Sequence, residues 1–504
     1  MIPAVTPCPG DVFVFPLERI GRYGACQVVA VDEERGLATV AVLAWTGTDV
    51  PEVTALSGTP RMVRDFMFWT PAEILKNVPV EVPSKYVRIG TLPVTGETAS
   101  RSYDAWDFAL DVIRQYRWDA LPSETTAAFR SALESEQTVM MPGLTYSRSG
   151  EQYESHLPAA RAFSDDGGYY SVGEDFRMES LRAWPALYQV ALQSWRDDLL
   201  PFLESSPLVK ELTLTGHGRR EIDLSRTGLN QLTIDITGLE RLVLPSSLDL
   251  LKLHGTGAAG LHVTADDDGR WVTVHLDGTV PAIHGLDHAP GLRIDAIENL
   301  DVSAVAESFP NITWLHLFGA PGLLVGLHGL QSLPKLSALW ICDLFGYGPD
   351  DIPYPDALPT LTNLDLDSIP ADVAASVRAR YKKAQHVELT VRRPRKPEWL
   401  AENLENPFRR WDGRDGIPDA VAKKARTAFV AALRKVRDES ATDDNTVTAA
   451  TGFLDAIAAL NRKHQFLYTL ERDEVIDAVN TLTAGLSPEA HRVLQPLIEE
   501  ALDD

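Results

Sequence analysis

The sequence predicts a multidomain α+β protein with a β-rich N-terminal module, a solenoid of stacked short strands and a C-terminal helical bundle. Three observations predict it. Between Leu208 and Leu389 the pattern L-x-x-L-x-L recurs many times. The first hundred residues form short apolar runs punctuated by Gly and Pro, as in strands joined by turns. From Pro418 onward apolar residues recur three and four apart, the spacing of one helix face. With 504 residues the chain is too long for one ordinary core.

Residues 1–100 are expected to form a small β-barrel-like module. Asp11-Val12-Phe13-Val14-Phe15 reads as a strand ended by Pro16, and Gln27 to Val31 as a second. Asp32 to Gly36 turns the chain, and Leu37 to Trp45 returns as a hairpin partner. Within this stretch, Gly10-Asp11-Val12-Phe13, then Pro16-Leu17, then Gly21-Arg22-Tyr23-Gly24 leading into a strand, is a recognisable fingerprint. It resembles an immunity-protein family of bacterial polymorphic toxin systems. That resemblance implies a non-enzymatic protein that neutralises a toxin by binding it, with Arg22 and Tyr23 as binding residues of this module.

Residues 101–206 are expected to be a mostly helical connector that caps the solenoid. Trp106, Ala109, Leu110, Ile113 and Tyr116 share one helix face, and Ser123 is placed to cap a second helix through Phe129 and Leu133. Residues 138–180 lack a clear period, yet Tyr146, Tyr153, Phe163, Tyr169 and Tyr170 point to ordered packing. From Met178 to Leu203 the spacing of Trp184, Tyr188, Leu192 and Trp195 predicts an amphipathic helix with Pro185 in its first turn.

Residues 207–391 carry the repeat. Matches begin at Val209, Leu229, Leu239, Leu248, Trp271, Ile297, Ile312, Leu336 and Leu361, with a weaker one at Ala384. The last four starts lie 24, 25 and 23 residues apart. This period resembles that of leucine-rich-repeat proteins, in which each unit contributes one strand and a return segment. The starts at 229, 239 and 248 are too close for full coils, so some must be return strands. One return, Pro370 to Lys383, is expected to be helical because Val373, Val377 and Tyr381 lie four apart.

Arg392-Arg393-Pro394-Arg395-Lys396-Pro397 reads either as a solvated linker or as an anion-binding patch. Residues 417–504 are expected to form the helical bundle. Val421, Ala425, Phe429 and Leu433 make one stripe, and further helices run near Phe453 to Leu460, Val475 to Leu482 and Pro488 to Leu502.

The net charge of −24, from 47 basic and 71 acidic residues, argues against nucleic acid or an anionic membrane as partner. It suits a protein partner such as a basic toxin domain. Cys8, Cys26 and Cys342 are too few and too scattered for a disulfide framework or structural zinc. No secretory signal and no membrane-spanning run is visible, so a cytoplasmic location is expected. No phosphate loop, H-E-x-x-H or G-x-S-x-G motif occurs, and no catalytic residue, cofactor or metal is expected. His284 and His288 are four apart near Asp266-Asp267-Asp268, but Gly285, Pro290 and Gly291 make that region a turn-rich loop.

Binding residues follow from strand geometry. In L-x-x-L-x-L the leucines face the core, so the intervening side chains line the concave face. The candidates there are Asp301, Trp314, His316, Phe318, Trp340, Asp365 and Asp367, with Trp314 and Trp340 on neighbouring strands flanked by carboxylates. Three functions remain open from sequence. The first is a non-catalytic immunity protein that occludes a toxin. The second is an intracellular scaffold using the concave face. The third is an enzyme with a domain-junction site near Tyr23 and the aromatic segment after Tyr146.

Overall fold

The computed structural model describes residues 6–148, 151–153, 155–165, 170–255, 257, 260–403, 406–438, 442–487, 490, 494, 496–498 and 501. The chain is mixed α/β and divides into two compact units: Met1–Asp235 with Val243–Asp249, and Ile236–Leu242 with Leu250–Asp504. Tyr169, Pro488 and Leu502, singled out above, lie outside the described residues. Among the described residues no helix is long and apolar enough to cross a membrane.

The first unit begins with a five-stranded antiparallel sheet. Its strands are β1 (Asp11–Leu17), β2 (Arg22–Asp32), β3 (Leu37–Gly47), β4 (Leu75–Pro79) and β5 (Val87–Thr91), in the order β4-β3-β2-β1-β5. With β4 and β5 at opposite edges the sheet is open, where the sequence suggested a barrel. Alternation along β1 gives each face its own core. Phe13, Phe15 and Leu17 join Cys26, Val28, Val40 and Val42 on one side, while Val12 and Val14 join Ala25 and Leu43 on the other. Pro16 lies inside β1, not beyond it.

The first face is covered by Trp106, Phe108 and helix α1 (Ala109–Asp119). The buried stripe of α1 is Val112, Ile113, Gln115 and Trp118, and Leu110 is 42% exposed, so the expected helix face was rotated. Helix α2 spans Ser123–Glu134, with Ser123 as its first residue and no side-chain cap. One of the fingerprint glycines, Gly24, serves this packing. A methyl on Gly24 would meet the Phe15 ring at 2.8 Å, so only glycine admits that aromatic side chain.

The largest correction falls on 178–203, where no long helix forms. A 3-10 turn (Met178–Ala183) leads into a strand, and the only α-helix there is the short α3 (Leu199–Glu204). The strand is one of four parallel strands in this unit: β6 (Ala162–Ser164), β7 (Gln189–Ser194), β8 (Glu211–Gly216) and β9 (Gln231–Asp235). Val190 aligns with Leu212 and Leu232, and Leu192 with Leu214 and Ile234, all buried. Two-residue alternation at Val190 and Leu192 outweighed the four-residue aromatic spacing, because a parallel neighbour satisfies the backbone that a helix would satisfy locally.

The second unit continues the same local pattern. Its parallel strands are β10 (Leu250–His254), β11 (Thr273–Asp277), β12 (Gly291–Asp301), β13 (Trp314–Val325), β14 (Ala338–Phe345), β15 (Asn363–Asp367) and β16 (Glu388–Arg392). One ladder runs Leu251, Val274, Leu292, Leu315, Leu339, Leu364, Leu389. Its companion runs Leu253, Leu276, Ile294, Leu317, Ile341, Leu366, Val391. Each fully buried leucine contributes roughly 1.5–3 kcal/mol, so the ladders fix the register.

Two matches shift. The start expected at Ile297 moves to Ala289, since Leu292 and Ile294 fill the ladder positions. The start expected at Ala384 moves to His386, two residues later. The match at Leu239 lies on Arg241–Val243, in a separate short-stranded sheet with Leu261–Thr264 and Ile283–His284. Hydroxyls brace the turns before the strands: Thr313 donates to the Pro290 carbonyl (2.8 Å), Ser337 to Thr313 (2.9 Å) and Thr362 to Ser337 (3.1 Å).

Helix α4 (Val302–Ser308) follows β12. Helix α5 (Ala371–Tyr381) buries Val373, Val377 and Tyr381, as the spacing predicts. The helical region starts with α6 (Pro397–Asn403), earlier than expected, and continues with α7 (Asp419–Val436), α8 (Asp443–His464) and α9 (Thr469–Thr483). Its core gathers Phe408, Trp411, Val421, Phe429, Phe453, Phe466 and Val479.

Candidate binding surface

On the side of β10–β16 opposite the ladders, strand alternation sets out three rows of side chains. The middle row runs Lys252, His275, Arg293, His316, Trp340, Asp365 and Thr390. The row nearer the strand starts includes Gly291, Trp314, Ala338, Asn363 and Glu388. The row nearer the strand ends includes Asp295 and, on the following strands, Phe318, Cys342, Asp367 and Arg392.

Of the residues expected here, four come together. Trp314 and His316 have ring centres 4.7 Å apart, His316 and Trp340 5.4 Å, and Phe318 and Trp340 5.0 Å. Trp314, His316 and Trp340 are half-buried, and Phe318 is buried. Arg293, not among the residues expected here, joins them: its guanidinium lies 4.6 Å from the Phe318 ring centre and is clamped by Asp295 at 2.7 and 2.9 Å. Shifting the match to Ala289 would have revealed it. Burial, with Arg293 close by, holds the His275 and His316 imidazoles below the ordinary histidine range. At neutral pH the cluster is therefore an aromatic patch with uncharged imidazoles.

The carboxylates do not flank that patch as free charges. Asp301 lies outside it, because its side chain accepts from the Ser303 backbone N–H at 2.9 Å and caps α4. Asp365 receives Arg392 at 2.8 and 3.0 Å. Asp367 receives Arg393 through two bonds of 2.8 and 2.6 Å. Arg395 reaches Asp412 at 2.6 Å and covers the Trp399 ring at 4.0 Å. The basic stretch is thus neither a free linker nor an open anion patch. Further along, Arg409 and Arg410 approach buried Asp343 at 3.6 and 3.5 Å, and Arg409 donates to the Gly319 carbonyl at 3.3 Å. Burial and the Asp343 and Asp367 charges push the Cys342 thiol up to about 12, so it is no nucleophile at neutral pH.

Arg392, Arg393, Arg409 and Arg410 of the chain itself therefore occupy the strand-end side of the face, while Trp314, His316 and Trp340 keep part of their surface in water. Trp314 lies flat on Gly291, where a methyl would come within 1.9 Å of the indole. Gly291→Ala is expected to swing that ring out of the cluster for roughly 0.5–1.5 kcal/mol, the usual strain of a displaced rotamer. Tryptophan fluorescence compared with a Trp314→Phe control checks it; an unchanged Trp314 contribution counts against the packing.

Arg22 and Tyr23 are built into the first unit. Arg22 lies 5.1 Å from the Tyr116 ring centre and donates to the Thr46 carbonyl at 3.2 Å, and Tyr23 packs against the core containing Val12 and Leu43. Tyr146 instead stacks on Tyr153 at 5.2 Å and lies tilted against His156 at 5.3 Å. His284 and His288 are not paired either. His284 meets His262 at 5.0 Å, and His288 contacts the Asp267 carbonyl at 3.2 Å. Among the described residues no group of three metal-binding side chains is gathered. No family model and no curated protein matches the chain.

Proposed function

We propose that this chain is a non-catalytic protein-binding protein of the leucine-rich-repeat kind, whose solenoid presents the Trp314–His316–Trp340 patch to its partner. The observation that carries this reading is the patch itself. Half-buried tryptophans, one tilted against and one edge to face with the same imidazole, and bordered by a clamped arginine, have the composition of an interface hot spot. Their rings are already ordered, so binding loses little side-chain entropy.

The partner is a toxin domain neutralised by occlusion in the cytoplasm of the producing cell, as the fingerprint around Gly10 and Gly24 implies. The net charge of −24 favours encounter with a basic partner. The trial partner is the toxin domain encoded in the neighbouring reading frame. The Trp314→Ala/Trp340→Ala protein is expected to lose at least about 2 kcal/mol of binding, near thirtyfold in Kd, with an unchanged circular dichroism spectrum. Undiminished affinity refutes the assignment to this patch. A neighbouring frame without a toxin domain, together with stoichiometric recovery of a housekeeping protein from toxin-free cells, turns the function to the scaffold reading.

A further inference from the structure

A second concavity lies wholly within the first unit and goes beyond that reading. Its volume is about 430 Å³, the size of a small-molecule site and not of a protein groove. It is lined by the loop Phe66-Met67-Phe68-Trp69 together with Trp118 of α1 and Leu208, and Phe66, Trp118 and Leu208 pack in one apolar cluster.

The loop is held rigidly. Met67 has φ of +54°, a conformation that a methionine keeps only when its surroundings impose it. Phe68 is fixed by Phe129 at 5.2 Å, Tyr188 at 5.8 Å and the Arg161 guanidinium at 4.0 Å. Trp69 is 48% exposed and lies under the Arg64 guanidinium at 3.6 Å, which leaves an ordered indole on the cavity wall.

The polar side of the cavity is cationic. Helix α1 brings Arg114 and Arg117 to it one turn apart, and Lys210 adds a third cation. Nearby, Arg19 pairs with Asp249, and Arg114 reaches the same carboxylate at 3.3 Å. Asp249 is thus shared by two guanidiniums, and its charge also acts on Arg117 and Lys210. Arg117 makes no hydrogen bond or ion pair with any described residue, and Lys210 donates only to the Gly228 carbonyl at 3.0 Å. Burial, then the Arg117 charge, pulls the Lys210 ammonium down to about 8. Desolvated positive charge with one shared counter-ion is costly unless an anion joins it.

We propose that this cavity binds a small amphipathic anion: an aromatic or branched apolar body carrying one carboxylate. The carboxylate lies between Arg117 and Lys210, with the apolar body against Phe66, Phe68 and Trp118. The apolar walls disfavour a polyphosphate or a sugar, and the cationic side disfavours a neutral lipid.

The probes are 2-naphthoate, its neutral counterpart 2-naphthylmethanol, and acetate, titrated calorimetrically into the full-length protein. The expected result is saturable one-site binding of 2-naphthoate, at least tenfold weaker binding of 2-naphthylmethanol, and none of acetate. Arg117→Gln is expected to weaken 2-naphthoate at least tenfold and leave 2-naphthylmethanol unchanged, while Arg117→Lys keeps most of the affinity. If Arg117→Gln does not fold, Lys210→Met is read in the same way. Absence of saturable 2-naphthoate binding, equal binding of the alcohol, or affinity indifferent to both substitutions overturns the proposal. The Trp314→Ala/Trp340→Ala protein retains this cavity, so failure here leaves the partner-binding surface untouched.

Discussion

Trp411→Ala is expected to destabilise the C-terminal helical region by about 3–5 kcal/mol, the usual consequence of removing a fully buried tryptophan. Trp411 is completely enclosed, with Phe408 at 4.4 Å and Phe466 at 5.3 Å. Its indole N–H donates to Glu474 at 2.6 Å, and Arg414 grips the same carboxylate at 2.8 Å while also reaching Glu471 at 2.9 Å. Alanine leaves an apolar void and removes one donor from a partly buried carboxylate, two costs that add. Trp411→Phe separates them, because it restores most of the ring contact but not the hydrogen bond, and should lose about 1–3 kcal/mol. Hydrogen exchange across α7, α8 and α9 reads the effect where it arises. Protection in Trp411→Ala within about 1 kcal/mol of the parent protein would show that Phe408 and Phe466 close the gap by themselves.

Much of this architecture was legible because leucine ladders leave a local trace. Leu315-x-Leu317, Leu339-x-Ile341 and Leu364-x-Leu366 each expose the strand period within a few residues, and the structure aligns them as the spacing demands. Legibility failed where another period overlay the first. Leu187-x-x-Val190-x-Leu192 fits the same pattern, yet Trp184, Tyr188 and Trp195 at helical spacing concealed it. At Ala289-x-x-Leu292-x-Ile294 the leading side chain is only a methyl, and at His386-x-x-Leu389-x-Val391 it is an exposed imidazole. Patterns keyed to leucine pass over both.

The aromatic patch was readable for the same reason as the ladders: once a strand is phased, its alternate residues are known. Its covering was not. Arg393 meets Asp367 across 26 residues and Arg410 meets Asp343 across 67, and neither pairing leaves a mark in the sequence near either partner. Asp301 was misplaced by the shifted match that also hid Arg293.

Asp367→Ala should have the second large effect, confined to the segment that the basic stretch anchors. Asp367 is 7% exposed and accepts both arms of the Arg393 fork, with Arg392 3.8 Å away. Arg393 itself has φ of +44°, a backbone state that an arginine holds only under constraint. Removing the carboxylate leaves a half-buried guanidinium unpaired and releases that constraint, an expected loss of about 3–5 kcal/mol. Exchange should rise across residues 388–403 and 406–412 and not in the ladder strands around Leu292 and Leu315. Replacing both partners, as in Asp367→Leu with Arg393→Met, should restore much of the protection, since paired apolar side chains incur no desolvation cost. If the single and double replacements are equally damaging, shape at this site matters more than charge. If Asp367→Ala is silent, Arg392 and Arg395 hold the segment without it.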